Sequence, residues 1–173
     1  MKIFVVSLFV MVIHTCVFAQ NLGANTFLFD SGWPSLGYGF SIEYNHSLSD
    51  NFDLSTQASI LFNKKNSTMG ELKYFHLPVL VGIKYFLLKS TLSPYISAEL
   101  MGSYFDYDNS EFDSELGSRV INENGFYVGG SSSIGTLVKV AEQWNININV
   151  RLGINSNRYA DFFSYNIGFN HKL

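Results

Sequence analysis

The sequence predicts an all-β fold, an eight-stranded antiparallel transmembrane up-and-down β-barrel preceded by a cleavable signal peptide. Three observations support this prediction. Apolar residues recur at every second position over long segments, charged residues make up only 14% of the chain, and aromatic residues make up 16%. A water-soluble domain usually carries about 25% charged residues. The outer surface of a barrel that faces lipid needs far fewer charged residues.

The start of the chain has the pattern of a secretory signal. Lys2 is followed by an apolar run from Ile3 to Ile13, and the small residues Val17 and Ala19 favour cleavage after Ala19. The run is too short for a membrane-spanning helix, which needs roughly 20 residues. Cys16 leaves open a lipoprotein signal, although the residues before it match that signal poorly. We therefore predict a signal peptide at 1–19 and a barrel domain at 20–173.

The alternation of apolar and polar residues predicts the strands. It is unbroken from Trp144 to Asn155, where six apolar residues alternate with Asn, Gly and Arg. At about 3.4 Å per residue, a tilted strand of this length spans a bilayer core. Similar patterns predict strands at about 21–30, 36–48, 52–63, 72–86, 92–106, 123–138, 143–155 and 162–173.

The connections between these strands alternate between tight and longer ones. The tight connections fall near 49–51, 87–91 and 139–142, and the longer ones near 31–35, 64–71, 107–122 and 156–161. Bacterial barrels have short periplasmic turns and longer external loops. Two local features interrupt the pattern: Pro78 predicts a bulge in the fourth strand, and the stretch from Gly129 to Ser133 predicts a bend in the wall.

The two faces of the strands have different compositions. The polar face is mostly Asn, Ser and Gly, which suits a narrow lumen filled by side chains. Its charged residues are predicted to form a lumen ion-pair network, with a gate or proton path as the alternative: Glu43, Lys84, Glu99 and Arg151. The apolar face carries rings near the strand ends, which predicts two aromatic girdles that include Tyr38, Tyr44, Phe62, Tyr85, Tyr104, Trp144 and Phe169.

The stretch Leu-Lys-Tyr-Phe-His-Leu-Pro-Val-Leu-Val-Gly-Ile-Lys-Tyr-Phe, from Leu72 to Phe86, resembles a signature of small outer-membrane barrels of Bacteroidetes. Ser93-Pro94-Tyr95-Ile96 and the terminal segment from Ile167 to Leu173 resemble two further strands of that family. These proteins are called porin-family or PorT-like β-barrel proteins. The resemblance implies the same fold over the mature chain, and it implies an accessory role in protein secretion as one possible function.

Few residues carry a pattern typical of chemistry. His76 is predicted to face the lumen near the end of its strand that leads to the longer loops. Some small outer-membrane barrels are enzymes with a catalytic His at that rim, but His76 has no catalytic partner at a fixed spacing. The acidic segment from Asp106 to Glu123 lacks calcium-loop spacing, because Glu111 stands where glycine is needed. No cofactor or metal motif is present, and the net charge of −3 argues against a nucleic-acid partner.

These observations predict a non-enzymatic protein of the outer membrane, with a structural or surface-interaction role through its external loops. The expected partners are outer-membrane lipids, lipopolysaccharide and the outer-membrane insertion machinery. A PorT-like accessory role in secretion and a lipid-modifying enzyme that uses His76 are the two alternatives.

Overall fold

The sheet closes on itself through pairing of its first and last strands, in a computed structural model that describes residues 21–30, 36–67, 70–108, 122–157 and 160–173. The strands are β1 (Asn21–Asp30), β2 (Gly37–Ser47), β3 (Phe52–Ser67), β4 (Gly70–Phe86), β5 (Leu92–Asp108), β6 (Asn122–Lys139), β7 (Trp144–Asn155) and β8 (Phe162–Lys172). Each strand pairs antiparallel with the next, and β1 pairs with β8 from Asn21–Lys172 to Asp30–Phe163. The predicted eight-stranded barrel is confirmed, whereas the predicted signal peptide at 1–19 lies outside the described residues.

The tight connections follow β2, β4 and β6, as the sequence predicts. In the first, the amides of Leu48 and Ser49 both donate to the carbonyl of Phe52, at 2.8 and 3.1 Å. In the third, Val140 and Ala141 donate in the same way to the carbonyl of Trp144. We refer to this end of the barrel as the turn end and to the opposite end as the loop end. In the part of the chain that the structure describes, no helix is long and apolar enough to cross a membrane.

The hairpin of β3 and β4 extends beyond its predicted length. The segment at 64–71 was expected to be a loop, but Lys64 pairs with Lys73 and the pairing continues to Ser67 and Gly70. Backbone pairing does not require apolar side chains. The polar ends of these strands therefore pair although their sequence shows no alternation of apolar and polar residues. For the same reason β5 continues to Asp108.

The bulge predicted at Pro78 is wrong. The register between β3 and β4 is the same on both sides of the proline, with Ala58 opposite Val79 and Leu61 opposite His76. Pairing is interrupted only between these two positions, because proline has no N–H to donate to the neighbouring strand. A bulge would instead add a residue on one strand and shift the register. The glycine-rich part of β6 pairs without interruption to β5 and β7.

The two faces of the wall have the predicted orientation. Large apolar side chains point outward and are widely exposed, with Leu100 at 78% and Val128 at 71%. Polar and charged side chains point inward and are buried, including Asn25, Gln57 and Asn147. Leu61 departs from the alternation in the sequence because it also points inward, where it is fully buried.

The loop end of the lumen contains an apolar plug, which the sequence reasoning missed. Its buried members are Phe27, Phe29, Leu61, Tyr74, Leu80, Met101, Phe105, Ala160 and Phe162. The parity of the strands carries the signal that would have found it, because Phe27 and Phe29 share the inward parity of Asn25.

Two rings of the plug occupy space left by glycines on the next strand. Phe27 is opposite Gly39 and Phe29 is opposite Gly37. A Cβ atom at either glycine would collide with the ring opposite it. Gly153 and Phe162 repeat the arrangement between β7 and β8. Three of the large rings in the plug therefore lie where the neighbouring strand has no side chain.

Candidate functional site

The charged residues of the lumen lie in a polar layer on the turn side of the apolar plug. Glu43 on β2 and Lys84 on β4 form an ion pair, and both side chains are almost completely buried. The Glu43 carboxylate also accepts hydrogen bonds from Ser55 Oγ at 3.3 Å and Asn147 Nδ2 at 3.2 Å. The Lys84 ammonium lies 4.5 Å from the centre of the Tyr95 ring. Both charges thus have several partners, as buried charges require.

A second ion pair joins β5 to β7. Arg151 donates to Glu99 at 3.0 Å with one terminal nitrogen and to Gln57 Oε1 at 2.6 Å with the other. Glu99 also accepts hydrogen bonds from Ser131 at 2.8 Å and Ser97 at 3.0 Å. One guanidinium therefore connects side chains from three strands across the lumen.

The structure brings together all four charged residues that the sequence predicted for the lumen. They form two separate ion pairs, Glu43–Lys84 and Glu99–Arg151, whose charges sum to zero. Sequence reasoning placed them on the inward face, with Glu99 and Arg151 near mid-barrel, but it did not assign the pairs because these depend on which side chains meet across the lumen. Each carboxylate is already committed to a cation and to hydroxyl or amide donors, so the arrangement is suited to holding the strands together.

His76 lies inside the apolar plug and is fully buried. Its Nδ1 atom is 3.3 Å from the hydroxyl of Tyr74, and its Nε2 atom has no hydrogen-bond partner among the described residues. The rings of Phe105 and Phe162 lie within 6 Å of the imidazole, centre to centre. The predicted inward position is correct, but the residue is enclosed by rings and does not face an open rim.

The predicted girdle residues of the loop end contact other rings on the outer wall. Tyr38 meets Phe62 edge to face, with ring centres 4.2 Å apart. Tyr104 contacts Phe126 on β6 at 5.3 Å. These contacts join register partners on neighbouring strands, so the rings form part of the wall at that height.

At the turn end, one predicted girdle residue differs from the others. Tyr85 contacts Phe52, Trp144 contacts His171, and Phe169 is widely exposed. Tyr44 also has the outward parity, but only 6% of it is exposed. Its prediction as a lipid-facing ring is corrected, because parity fixes the face of the wall that a residue occupies and leaves its exposure to the neighbouring side chains.

The described residues contain no cluster of three or more His, Cys, Asp or Glu that could hold a metal ion. Most of the acidic segment between Asp106 and Glu123 lies outside the described residues, at 109–121. The prediction that this segment is an external loop without calcium-loop spacing therefore stays a prediction.

Comparisons with known proteins identify a family and a fold. A family model with the description "Protein of unknown function (DUF3575)" matches residues 3–172. No curated protein matches the sequence.

Similar solved structures include Neisserial surface protein A, with a TM-score of 0.62 and 13% identity over 88% of this chain and 95% of that chain. They also include Ail, the attachment invasion locus protein of Yersinia pestis, with a TM-score of 0.58 and 10% identity over 88% and 95% of the two chains. The outer membrane enzyme PagL has a TM-score of 0.50 and 14% identity over 88% and 99%. Identities this low show the barrel fold alone, and the three proteins have different roles by name.

Breaking the first ion pair gives a test of the polar layer. We expect Lys84→Met to lower the free energy of unfolding by about 3–5 kcal/mol, because it leaves the Glu43 carboxylate buried without its cation. The double variant E43Q/K84M should recover most of this loss, since neither remaining group is charged. Urea unfolding of the barrel refolded in detergent measures both. A double variant no more stable than K84M would contradict the interpretation.

Proposed function

This chain belongs to the DUF3575 family, and from that premise and its fold we propose that the mature part is an integral outer-membrane β-barrel with a structural or surface-interaction role. The lumen is filled by side chains, and the external loops carry the interactions. The role is not catalytic in this proposal.

The filled lumen is the observation that carries the proposal. The polar layer and the apolar plug follow each other along the barrel axis, and their side chains are buried. Eight strands enclose an interior only just wide enough for side chains. These features favour a structural barrel over a diffusion pore. A conductance of porin size in a planar lipid bilayer would contradict this part of the proposal.

The outer wall supports a location in lipid. Leu100, Val128 and Ile134 are among its most exposed side chains, and such a surface is stable where it meets acyl chains. The signal peptide predicted at 1–19 supports export, after which the outer-membrane insertion machinery would receive the chain. Outer-membrane lipids and lipopolysaccharide are then its immediate partners.

The orientation of the barrel is tested by labelling two serine positions that are exposed at opposite ends. Ser156 follows β7 at the loop end, and Ser49 lies in the turn after β2. We expect a membrane-impermeant maleimide to label Ser156→Cys in intact cells, because external loops face the medium. The matched variant Ser49→Cys should be labelled only after the outer membrane is permeabilised.

The opposite labelling pattern would show that the barrel is inverted. Labelling of neither variant in intact cells, together with recovery of the protein in the soluble fraction, would contradict the outer-membrane location. Both variants keep a small side chain at an exposed position, so the barrel itself should not be affected.

The alternative is a lipid-modifying enzyme, because PagL, an outer membrane enzyme, has a similar fold. The burial of His76 among Tyr74, Phe105 and Phe162 argues against it, since a general base must come within hydrogen-bond reach of its substrate.

Replacing His76 separates the two roles. We expect His76→Phe to leave the lipid profile of the outer membrane unchanged, and to keep or raise the stability of the barrel. A phenyl ring is of similar size and has no buried nitrogen without a partner. Mass spectrometry of extracted lipids from cells with the wild-type and the variant protein gives the measurement. A modified lipid present only with the wild-type protein would support the enzyme instead.

An accessory role in protein secretion is the second candidate, and the resemblance of the segment Leu72–Phe86 to PorT-like barrels favours it. In that case a deletion strain should lose secreted proteins from its medium, and the wild-type gene should restore them. Unchanged secretion in the deletion strain would remove this candidate. The barrel and its location are common to both candidates.

A further inference from the structure

The turn end of the lumen opens into a cavity of about 800 Å³. Its charged lining side chains are Lys89, Lys139, Lys172 and Asp53, which carry three positive charges and one negative charge. We refer to this cavity as the basic mouth. Its volume falls within the range of about 300–1,000 Å³ that is typical of small-molecule sites.

One of the three lysines is held in place by its neighbours. The Lys89 ammonium lies 3.0 Å from Asp53 Oδ1 and 4.8 Å from the centre of the Phe86 ring. Asp53 is only 4% exposed and also accepts a hydrogen bond from Ser47 Oγ at 2.9 Å. The one acidic side chain in the lining is thus already neutralised.

The other two lysines supply the excess charge. The side chains of Lys139 and Lys172 are exposed, and neither forms an ion pair with a carboxylate in the described ranges. Their backbone positions are fixed by the sheet, because the Lys139 amide donates to Thr91 and the Lys172 amide donates to Gln143, both at 2.8 Å. Two cations that form no ion pair among the described residues therefore line one opening, on backbone that the sheet holds in place.

Neutral polar groups surround these charges. Asn21, Asn145, Ser90 and Ser93 also line the cavity, and buried Phe86 adds an apolar surface to it. Amides and hydroxyls can both donate and accept hydrogen bonds, which suits a ligand rich in hydroxyl groups. A lysine ammonium group attracts an oxyanion as a point charge, so it can bind either a carboxylate or a phosphate.

We propose that the basic mouth binds a small, hydroxyl-rich anion, namely a sugar that bears a carboxylate or a phosphate group. This site lies at the opposite end of the barrel from the external loops, so it adds a function to the one proposed above. In the proposed orientation it faces the periplasm. The same chemistry occurs in soluble sugar acids and phosphates and in fragments of the cell wall.

Calorimetric titration of the barrel folded in detergent tests the proposal. Glucuronate and glucose 6-phosphate should bind saturably, and uncharged glucose should bind at least about tenfold more weakly. Affinity for the anions should fall as NaCl is raised from about 50 to about 500 mM, because salt screens exposed charges. A monomeric muropeptide distinguishes the sources. If it binds more tightly than the free sugar acid, the cell wall is the source, and if it binds less tightly, the source is soluble.

Matched variants assign the binding to this cavity. K139Q/K172Q should lose about tenfold in affinity or more, because it removes both cations without partners. K64Q/K73Q removes two positive charges from register partners at the loop end and should bind as the wild type does. D53N removes the one acid of the lining and releases Lys89, so it should bind more tightly.

The proposal would be overturned if the anions bound no more tightly than glucose, if K139Q/K172Q bound as the wild type does, or if K64Q/K73Q weakened binding as much as K139Q/K172Q. Unchanged or weaker binding by D53N would overturn it as well. The altered mobility of an unboiled sample on a gel shows that each variant is folded. All of these measurements use the protein in detergent, so their outcome is independent of where the barrel lies in the cell.

Discussion

Pairing between β1 and β8 is the constraint on which the rest of the structure depends. In the closed part of the sheet, each strand has a neighbour on both sides, so that part presents no edge to pair with another chain. Closure also divides the side chains into two sets by parity. The outward set has no limit on its size, whereas the inward set must fit within a lumen of fixed width.

The inward set meets this limit in two ways. Near the loop end, rings fill most of the space, and His76 lies among them. Toward the turn end, Glu43, Lys84, Glu99 and Arg151 fill the space with charge, which is tolerable because each carboxylate has a cation and several neutral donors. Among the described charged residues that face the lumen, Lys139 and Lys172 of the basic mouth form no ion pair. The lumen is therefore filled by paired or apolar side chains along most of its axis, and the basic mouth carries the excess charge.

The alternation of side chains was sufficient to predict the strands and their orientation. In β7 it runs without a break, and the predicted and observed bounds differ by one residue. The alternation failed to predict strand residues that are paired through the backbone but are polar on both faces, as in the extension of β3, where Lys64 pairs with Lys73. Pro78 was placed correctly in its strand, but its missing N–H donor was interpreted as a bulge, which would require an extra residue. The two ion pairs were not predicted as pairs, because the sequence gives the face and the approximate height of each residue but not which side chains meet across the lumen.

The rings that fill glycine gaps also determine how β1 and β2 align. Parity must be kept, so the smallest slip between the two strands is two residues. Such a slip would place Phe27 opposite Ser41, or Phe29 opposite position 35, so one ring would lose its glycine while the other would face the remaining one. Only the observed alignment gives both rings a glycine. These two pairs therefore favour a single register for the first hairpin, and a side chain larger than hydrogen at Gly37 or Gly39 would disturb it.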